Sequence, residues 1–197
     1  MQEGVIQYQL HYQHTEPSAN WPCAAINQVR DVLFQLAMLG QDPQRYDGLG
    51  FGNISVKMPS GFLITGSQTG HIAHLMPEHF AHVMQADIEQ NSLNAAGPCK
   101  PSSEALSHAA CYSLNPAITA VIHVHDKNLW SRADISRTPA DIGYGTVAMA
   151  RCVAELFNQS CNRGIFAMQG HEDGVIAFAT DLQTALQLIL DLHQQKP

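Results

Sequence analysis

The segment Ala120-Val121-Ile122-His123-Val124-His125 constrains the fold more than any other stretch of this sequence. It is a short, nearly unbroken apolar run with two β-branched valines and an isoleucine, followed by Asp126-Lys127. Such a run reads as a buried strand. Two histidines interrupt it. Side chains at i and i+2 of a strand share a face, so His123 and His125 project together, roughly 6–7 Å apart along the strand. Neutral imidazole is a good ligand for zinc, and H-x-H on a strand is a compact way to supply two of them. Two hydrogen-bonded histidines at a strand end are the structural alternative.

Other elements follow from periodicity and punctuation. Pro22 precedes a run with Ile26, Val29, Leu33, Leu36 and Leu39 at helical spacing and Gly40 at its end, which predicts a helix. "FGNISVKM" and "GFLITG" flank Pro59-Ser60-Gly61 and predict a hairpin. Phe80 to Ile88 fits strand or helix. A helix is predicted from Ser102 or Ser103 to Leu114, where Asn115-Pro116 stops it. Gly145 to Phe157 reads as a further helix, "GIFAMQG" and "GVIAFA" as strands, and Leu182 to Leu192 as a helix capped by Asp181. Residues 1–21 are polar and read as a loose arm. Residues 22–197 then form one α/β domain with a mixed or largely antiparallel sheet flanked by helices.

The 197 residues suit a single domain, and a hydrophobic content of 45% is enough for a sizeable core. With 10 Lys and Arg against 17 Asp and Glu, and no basic cluster, the chain lacks a nucleic-acid footprint. "MQEGVIQYQLHYQH" has no basic segment leading into an apolar one, so no signal peptide is expected. No apolar run approaches a membrane span. Cys23, Cys99, Cys111, Cys152 and Cys161 are scattered without a C-x-x-C pair, which fits reduced thiols and a cytoplasmic location.

A catalytic zinc usually has three protein ligands and an open position. His171 lies between "GIFAMQG" and "EDGVIAFA", at a strand end beside glycines, and can supply the third ligand. His71, His74, His79 and His82 form a rival group in a segment broken by Pro77. Glu104 sits in the first turn of a helix after Pro101-Ser102-Ser103, where free N–H groups favour a phosphate or carboxylate; a plain helix cap is the simpler reading. His108, four residues on, can orient Glu104 or simply pack. "GFGNIS" and "ITGSQTG" place glycines beside Asn53, Ser55, Thr65, Ser67 and Thr69. These loops can cradle an anion or be ordinary turns, and they match neither a Walker A loop nor a dinucleotide fingerprint.

The order Gly52-Asn53-Ile54-Ser55, Ile64-Thr65-Gly66, Pro101-Ser102-Ser103-Glu104 with His108, His123-x-His125, then His171 before a glycine and a strand resembles the class II aldolase/adducin family. The resemblance covers roughly residues 22–193. It implies a single-domain three-layer α-β-α fold with a central mixed, mostly antiparallel sheet, assembled as a homotetramer with sites at subunit interfaces. It implies that His123, His125 and His171 ligate Zn2+, or another divalent metal. Glu104 would be the acid/base, and Asn53, Thr65, Gly66, Ser102 and Ser103 would hold a substrate phosphate. The expected activity is a zinc-dependent lyase: aldol-type cleavage of a small sugar phosphate or related hydroxy-ketone through a metal-stabilised enediolate. An epimerase or dehydratase would use the same parts. A non-catalytic adducin-like module would need none of them, and a metal-dependent hydrolase is a third possibility. The chain departs from the pattern where Glu172 and Asp173 stand between the third histidine and Gly174, where Asp126 follows His125, and in the short span from His125 to His171, whose single tyrosine is Tyr144.

Overall fold

The computed structural model describes residues 4–195. In chain order the elements are β1 (Gln9–His14), α1 (Cys23–Gln35), β2 (Gly40–Gln41), β3 (Gly50–Phe51), β4 (Asn53–Lys57), β5 (Phe62–Thr65), β6 (Phe80–Asp87), β7 (Ser92–Gly97), α2 (Ala105–Leu114), β8 (Ala120–His125), α3 (Lys127–Ser131), β9 (Ser136–Thr138), α4 (Val147–Leu156), β10 (Gly164–Met168), β11 (Gly174–Ala179) and α5 (Leu182–Gln194). Nine strands form one sheet in the order β1-β7-β6-β5-β4-β8-β11-β10-β9, and β2 and β3 form a separate ladder. The large sheet is parallel only at its two edges, β1 with β7 and β10 with β9, and antiparallel elsewhere.

β8 is buried throughout, as its apolar run predicts, and lies in the sheet interior between β4 and β11. Its even-numbered side chains, Ile122 and Val124, pack with Ile26, Val29 and Leu33 of α1 and with Ala185 and Ile189 of α5. On the opposite face Val121 joins Cys111 and Leu114 of α2, Met149 and Val153 of α4, and Phe166 and Phe178. The sheet thus lies between two helical layers. His123 and His125 share the face of Val121, under α2. Burying Ile122 or Val124 stabilises by about 1.5–3 kcal/mol each. A buried polar atom left unpaired costs about 1–3 kcal/mol. The strand can therefore carry two imidazoles without losing its place in the core.

Two local outcomes differ from the sequence reading, and one open alternative is resolved. The Pro22 helix stops at Gln35, short of Leu36 and Leu39. Ala37 turns into the left-handed region (φ 54°), its N–H bonding Phe34 O at 3.0 Å while Met38 N–H reaches Leu33 O at 3.0 Å. That is a Schellman stop with alanine in place of glycine, and it sends Leu39 into the core as loop. Phe80–Asp87 is strand. The N-terminal segment is no loose arm: Gln9–His14 extends the sheet beside β7. Tyr8 is buried against Leu93 and Ala95, and Tyr12 Oη donates to Gly97 O at 2.6 Å. The alternation Ile6, Tyr8, Leu10, Tyr12 carries that strand signal. Among the described residues no helix is long and apolar enough to cross a membrane.

Candidate functional site

The three layers bring His123, His125 and His171 to one point. β8 supplies the first two. His171 sits in the turn from β10 to β11, held by its N–H to Met168 O at 2.9 Å and by Gly174 N–H to its own carbonyl at 3.0 Å. Gly174 is opposite His125 in the ladder, and a Cβ there would press within 3.1–3.2 Å of the His171 and His123 rings. The three imidazoles are buried, and one ligand nitrogen from each lies within 4.8 Å of the others. His123 Nε2 and His125 Nε2 are 3.1 Å apart. The ligands of a tetrahedral zinc, each ~2.0–2.1 Å from the ion, stand roughly 3.3 Å from one another. His123 Nδ1 faces Val175 O at 3.2 Å, which in the neutral ring places the proton on Nδ1 and the lone pair on Nε2, toward His125.

Glu104 closes the group from the N-terminus of α2. Its Oε1 lies 3.0 Å from His171 Nδ1 and 3.9 Å from His123 Nε2; both carboxylate oxygens are buried, and among the described residues His171 is the nearest donor to them. Most of α2 is small or apolar, with His108 and Tyr112 among its Ala, Ser, Cys and Leu residues, and it is buried on nearly every side; Glu104 at its start is only 1% exposed. Burial alone raises its carboxyl, but His123, His171 and His108 together outweigh that and hold it below the ordinary carboxylate range. His125 is pushed well below the usual imidazole range by burial and then by His123, His171 and Arg45. Burial, with His123 adding, lowers His108 to about 3 against the opposing pull of Glu104. His125 and His108 are thereby kept neutral beside an anionic carboxylate, and three imidazoles next to a carboxylate are a donor set suited to a borderline divalent cation such as zinc. Ser55 Oγ and His108 Nδ1 are hydrogen-bonded at 2.7 Å, and Ser55 Oγ also meets Tyr112 Oη at 2.7 Å. His108 is thereby fixed one turn below Glu104.

Next to Glu104 lies a small polar hollow. Gly50, Gly52, Asn53, Gly66, Ser67, Gln68, Thr69, Gly70, Ser102 and Ser103 line it, with Gly4 of the N-terminal segment. Asn53 Oδ1 is buried without a partner among the described residues. Ser102 and Ser103 face it from the start of α2. Gly66 contributes space rather than a donor: its N–H is bonded to His79 O at 2.8 Å, and a Cβ there would meet Cys99 Sγ at 2.4 Å. Thr65 stands behind the wall, its Oγ1 accepting from Ile54 N–H at 3.2 Å. Arg30 of α1 reaches the carbonyls of Thr69 and Gly70, both at 3.1 Å, and fixes the loop from behind. A cleft of about 610 Å³ opens beside His171, lined by Arg45, Tyr46, Trp130, Gln169, Glu172 and Asp173 among others.

His71, His74, His79 and His82 do not converge. His74 reaches Asn27 Nδ2 (3.3 Å) and Asp31 (4.0 Å), His79 Nδ1 accepts from Met76 N–H (2.9 Å), and His82 Nε2 meets Ser60 O (2.5 Å). Three residues at the site were not singled out by the sequence. Arg45 and Tyr46 lie in the stretch "QDPQRYDGLG", which reads only as a loop, and Phe51 follows it. Tyr144, whose role the sequence leaves open, lies tilted against His171 (centroids 4.6 Å, 36°), and its hydroxyl meets both Val5 N–H (3.2 Å) and Val5 O (3.1 Å). The tertiary packing of the Arg45–Tyr46 loop on His125 has no local sequence signature.

Known proteins show the same architecture. L-fuculose-1-phosphate aldolase from Thermus thermophilus superposes with a TM-score of 0.65 at 21% identity, over 87% of this chain and 88% of that one. YgbL from Escherichia coli superposes with a TM-score of 0.66 at 20% identity, over 87% and 84%. By sequence, the chain is 37% identical over 82 residues to 3-oxo-tetronate 4-phosphate decarboxylase of Escherichia coli strain K12, covering 42% of this chain and 35% of that protein. It is 36% identical over 77 residues to 5-methylthioribulose-1-phosphate/5-deoxyribulose-1-phosphate aldolase of Escherichia coli O45:K1, covering 39% and 33%. These matches thus span about a third of each relative's length. The family pattern described as the class II aldolase and adducin N-terminal domain matches residues 41–195. With that match covering most of its length, the chain belongs to the class II aldolase and adducin family.

Proposed function

We propose that the protein is a divalent-metal-dependent lyase, with zinc the expected ion, that cleaves a carbon–carbon bond in a small phosphorylated hydroxy-ketone. The observation that carries this reading is the convergence of three buried histidines with a buried, ionised glutamate beside a polar hollow at a helix N-terminus. His123, His125 and His171 would hold the ion. A divalent ion bound there supplies Lewis acidity to substrate oxygens. Asn53, Ser102 and Ser103 are the direct donors offered to a phosphate, assisted by the dipole of α2; Gly66 leaves the room and Thr65 fixes the wall. Glu104, ionised and shielded from water, takes the proton from the substrate hydroxyl whose C–C bond breaks, and returns a proton to the carbon released. Phosphate binding away from the reacting carbons holds the substrate in register. An epimerase or dehydratase would use the same groups. The family resemblance also supports a homotetramer, which light scattering would measure, and the scattered thiols support a cytoplasmic location.

The similarity to a decarboxylase favours a second reading. Loss of CO2 from a 3-oxo acid leaves the same kind of stabilised carbanion but needs no base to start it. Glu104→Gln separates the two. Metal-loaded wild-type protein should release a triose phosphate from one or more ketose 1-phosphates. The variant should keep its metal and lose about 10²–10⁴ of that rate. If wild type is inert on ketose phosphates yet decarboxylates a 3-oxo-4-phosphate acid, and the variant retains most of that rate, the second reading replaces the first.

A further inference from the structure

The two histidines of β8 are held by different means. His123 has its Nδ1 on the carbonyl of Val175. His125 Nδ1 is buried with no hydrogen-bond partner among the described residues. A metal-ligating imidazole ordinarily has its second nitrogen bonded to a carbonyl or carboxylate, which fixes the ring plane. What meets the His125 ring instead is aromatic. Tyr46 stands edge-on to it (centroids 4.5 Å, 69°), and Phe51 lies against it at 5.4 Å.

Tyr46 is an awkward residue to place there. It adopts φ 50°, and Asp47 follows at φ 57°; two non-glycine residues in the left-handed region cost of order 1–2 kcal/mol each. The surroundings hold the loop against that cost. Tyr46 Oη donates to Asp173 Oδ2 at 2.9 Å and accepts from Arg45 Nη2 at 2.7 Å. The Arg45 guanidinium lies 4.9 Å over the Tyr46 ring and 4.7 Å over Phe51, and 3.9 Å from Asp173 Oδ2. Asp173 is two residues past His171. Its carbonyl accepts from Asp126 N–H at 2.9 Å, directly after His125. It is not among the residues whose ligand atoms converge. Glu172, its neighbour, is exposed and faces the cleft.

We propose that Arg45, Tyr46 and Asp173 form a bracket that sets the plane of the His125 imidazole in place of the missing hydrogen bond to Nδ1. Tyr46 and Asp173 are then positioning residues for the metal centre, and Asp173 is not a ligand. This rests on the reading that the three histidines hold a divalent ion. It also gives the Glu172–Asp173 pair a purpose: the longer turn after His171 puts a carboxylate where it can anchor the Tyr46 loop.

The test is metal affinity by chelator competition on the full chain, together with the visible spectrum of the Co2+-substituted protein. Asp173→Asn is nearly isosteric and should weaken metal binding about 10–100-fold, and Tyr46→Ala should do the same. Tyr46→Phe keeps the ring without its anchor and should fall between wild type and Tyr46→Ala. The double variant Tyr46→Ala/Asp173→Asn should be no weaker than Tyr46→Ala, because both act through one contact. The Co2+ bands should shift in position while keeping the intensity of the wild-type coordination, unlike His125→Ala. Wild-type affinity and spectrum in Asp173→Asn would overturn the bracket, as would fully additive losses in the double variant. A loss in Asp173→Asn as large as in His125→Ala, with changed band intensity, would make Asp173 a ligand. A wild-type protein that binds no divalent metal would instead remove the underlying metal reading, and the bracket with it.

Discussion

His123, His125 and His171 share the chain with a second histidine-rich stretch, His71 to His82, which has more imidazoles and none of the convergence. The first group comes from two elements far apart in sequence and meets in the core, with an ionised carboxylate buried beside it. The second is strung along the loop that leads into β6, where each ring with a described hydrogen bond or ion-pair contact meets a different neighbour. Dense spacing along the sequence is thus a poor guide to a site. A histidine inside an apolar strand is a better one, because its burial costs stability that a surface loop histidine never faces.

The difference can be broken open by mutation. The largest expected effect is at Glu104, which only the buried group possesses: Glu104→Gln should lower turnover about 10²–10⁴-fold with metal content and fold unchanged. Replacing His71, His74, His79 and His82 together with alanine should leave both metal content and turnover near wild type. Steady-state kinetics with metal analysis checks the pair.

Acid sensitivity comes next. In metal-free protein His108 sits at about 3, below its ordinary 6.5, so the unfolded chain binds the extra proton first. Its contribution is fully present above pH 6.5 and is lost as pH falls toward 3, by up to ~1.4 kcal/mol per pH unit. His125 is depressed in the same sense. Glu104, held below its usual value, loses its contribution as pH falls through its folded value. Denaturant melts of metal-free protein should therefore weaken on acidification, and His108→Gln should flatten the slope between pH 6.5 and 4.

The loop that leads into β6 is sharpened by the residues that hold it. Arg30→Ala leaves the carbonyls of Thr69 and Gly70 without their cation and should cost about 1.5–3 kcal/mol. Phosphate-ester binding should weaken too, since that loop walls the hollow. Asn27 makes a two-way bond with Leu75, donating to its carbonyl at 2.8 Å and accepting from its N–H at 3.1 Å. Asn27→Ala should cost about 1–2 kcal/mol in thermal melts and leave metal affinity unchanged.

Much of this was legible from the sequence, for physical reasons that differ by element. The short, β-branched apolar run of β8 reads as a buried strand, and the i, i+2 rule then aims its histidines together. Ser102-Ser103-Glu104 marks a helix start whether or not it binds anything. What escaped depends on long-range packing. β7, "SLNAAG", is too poor in apolar residues to announce itself and is strand because β1 and β6 flank it. Residues 9–14 read as an arm, since an edge strand needs only one half-apolar alternation. Tyr46 lies in a segment that carries every mark of a loop, and its value comes from what Asp173, 127 residues away, does to it.

The central claim is that the three convergent histidines hold one divalent ion, and metal content tests it most directly. Protein expressed with ample zinc and desalted should carry about one equivalent per chain by elemental mass spectrometry, and His123→Ala and His171→Ala should carry almost none. Wild-type protein with less than about a tenth of an equivalent, or variants that keep the full complement, would contradict the account.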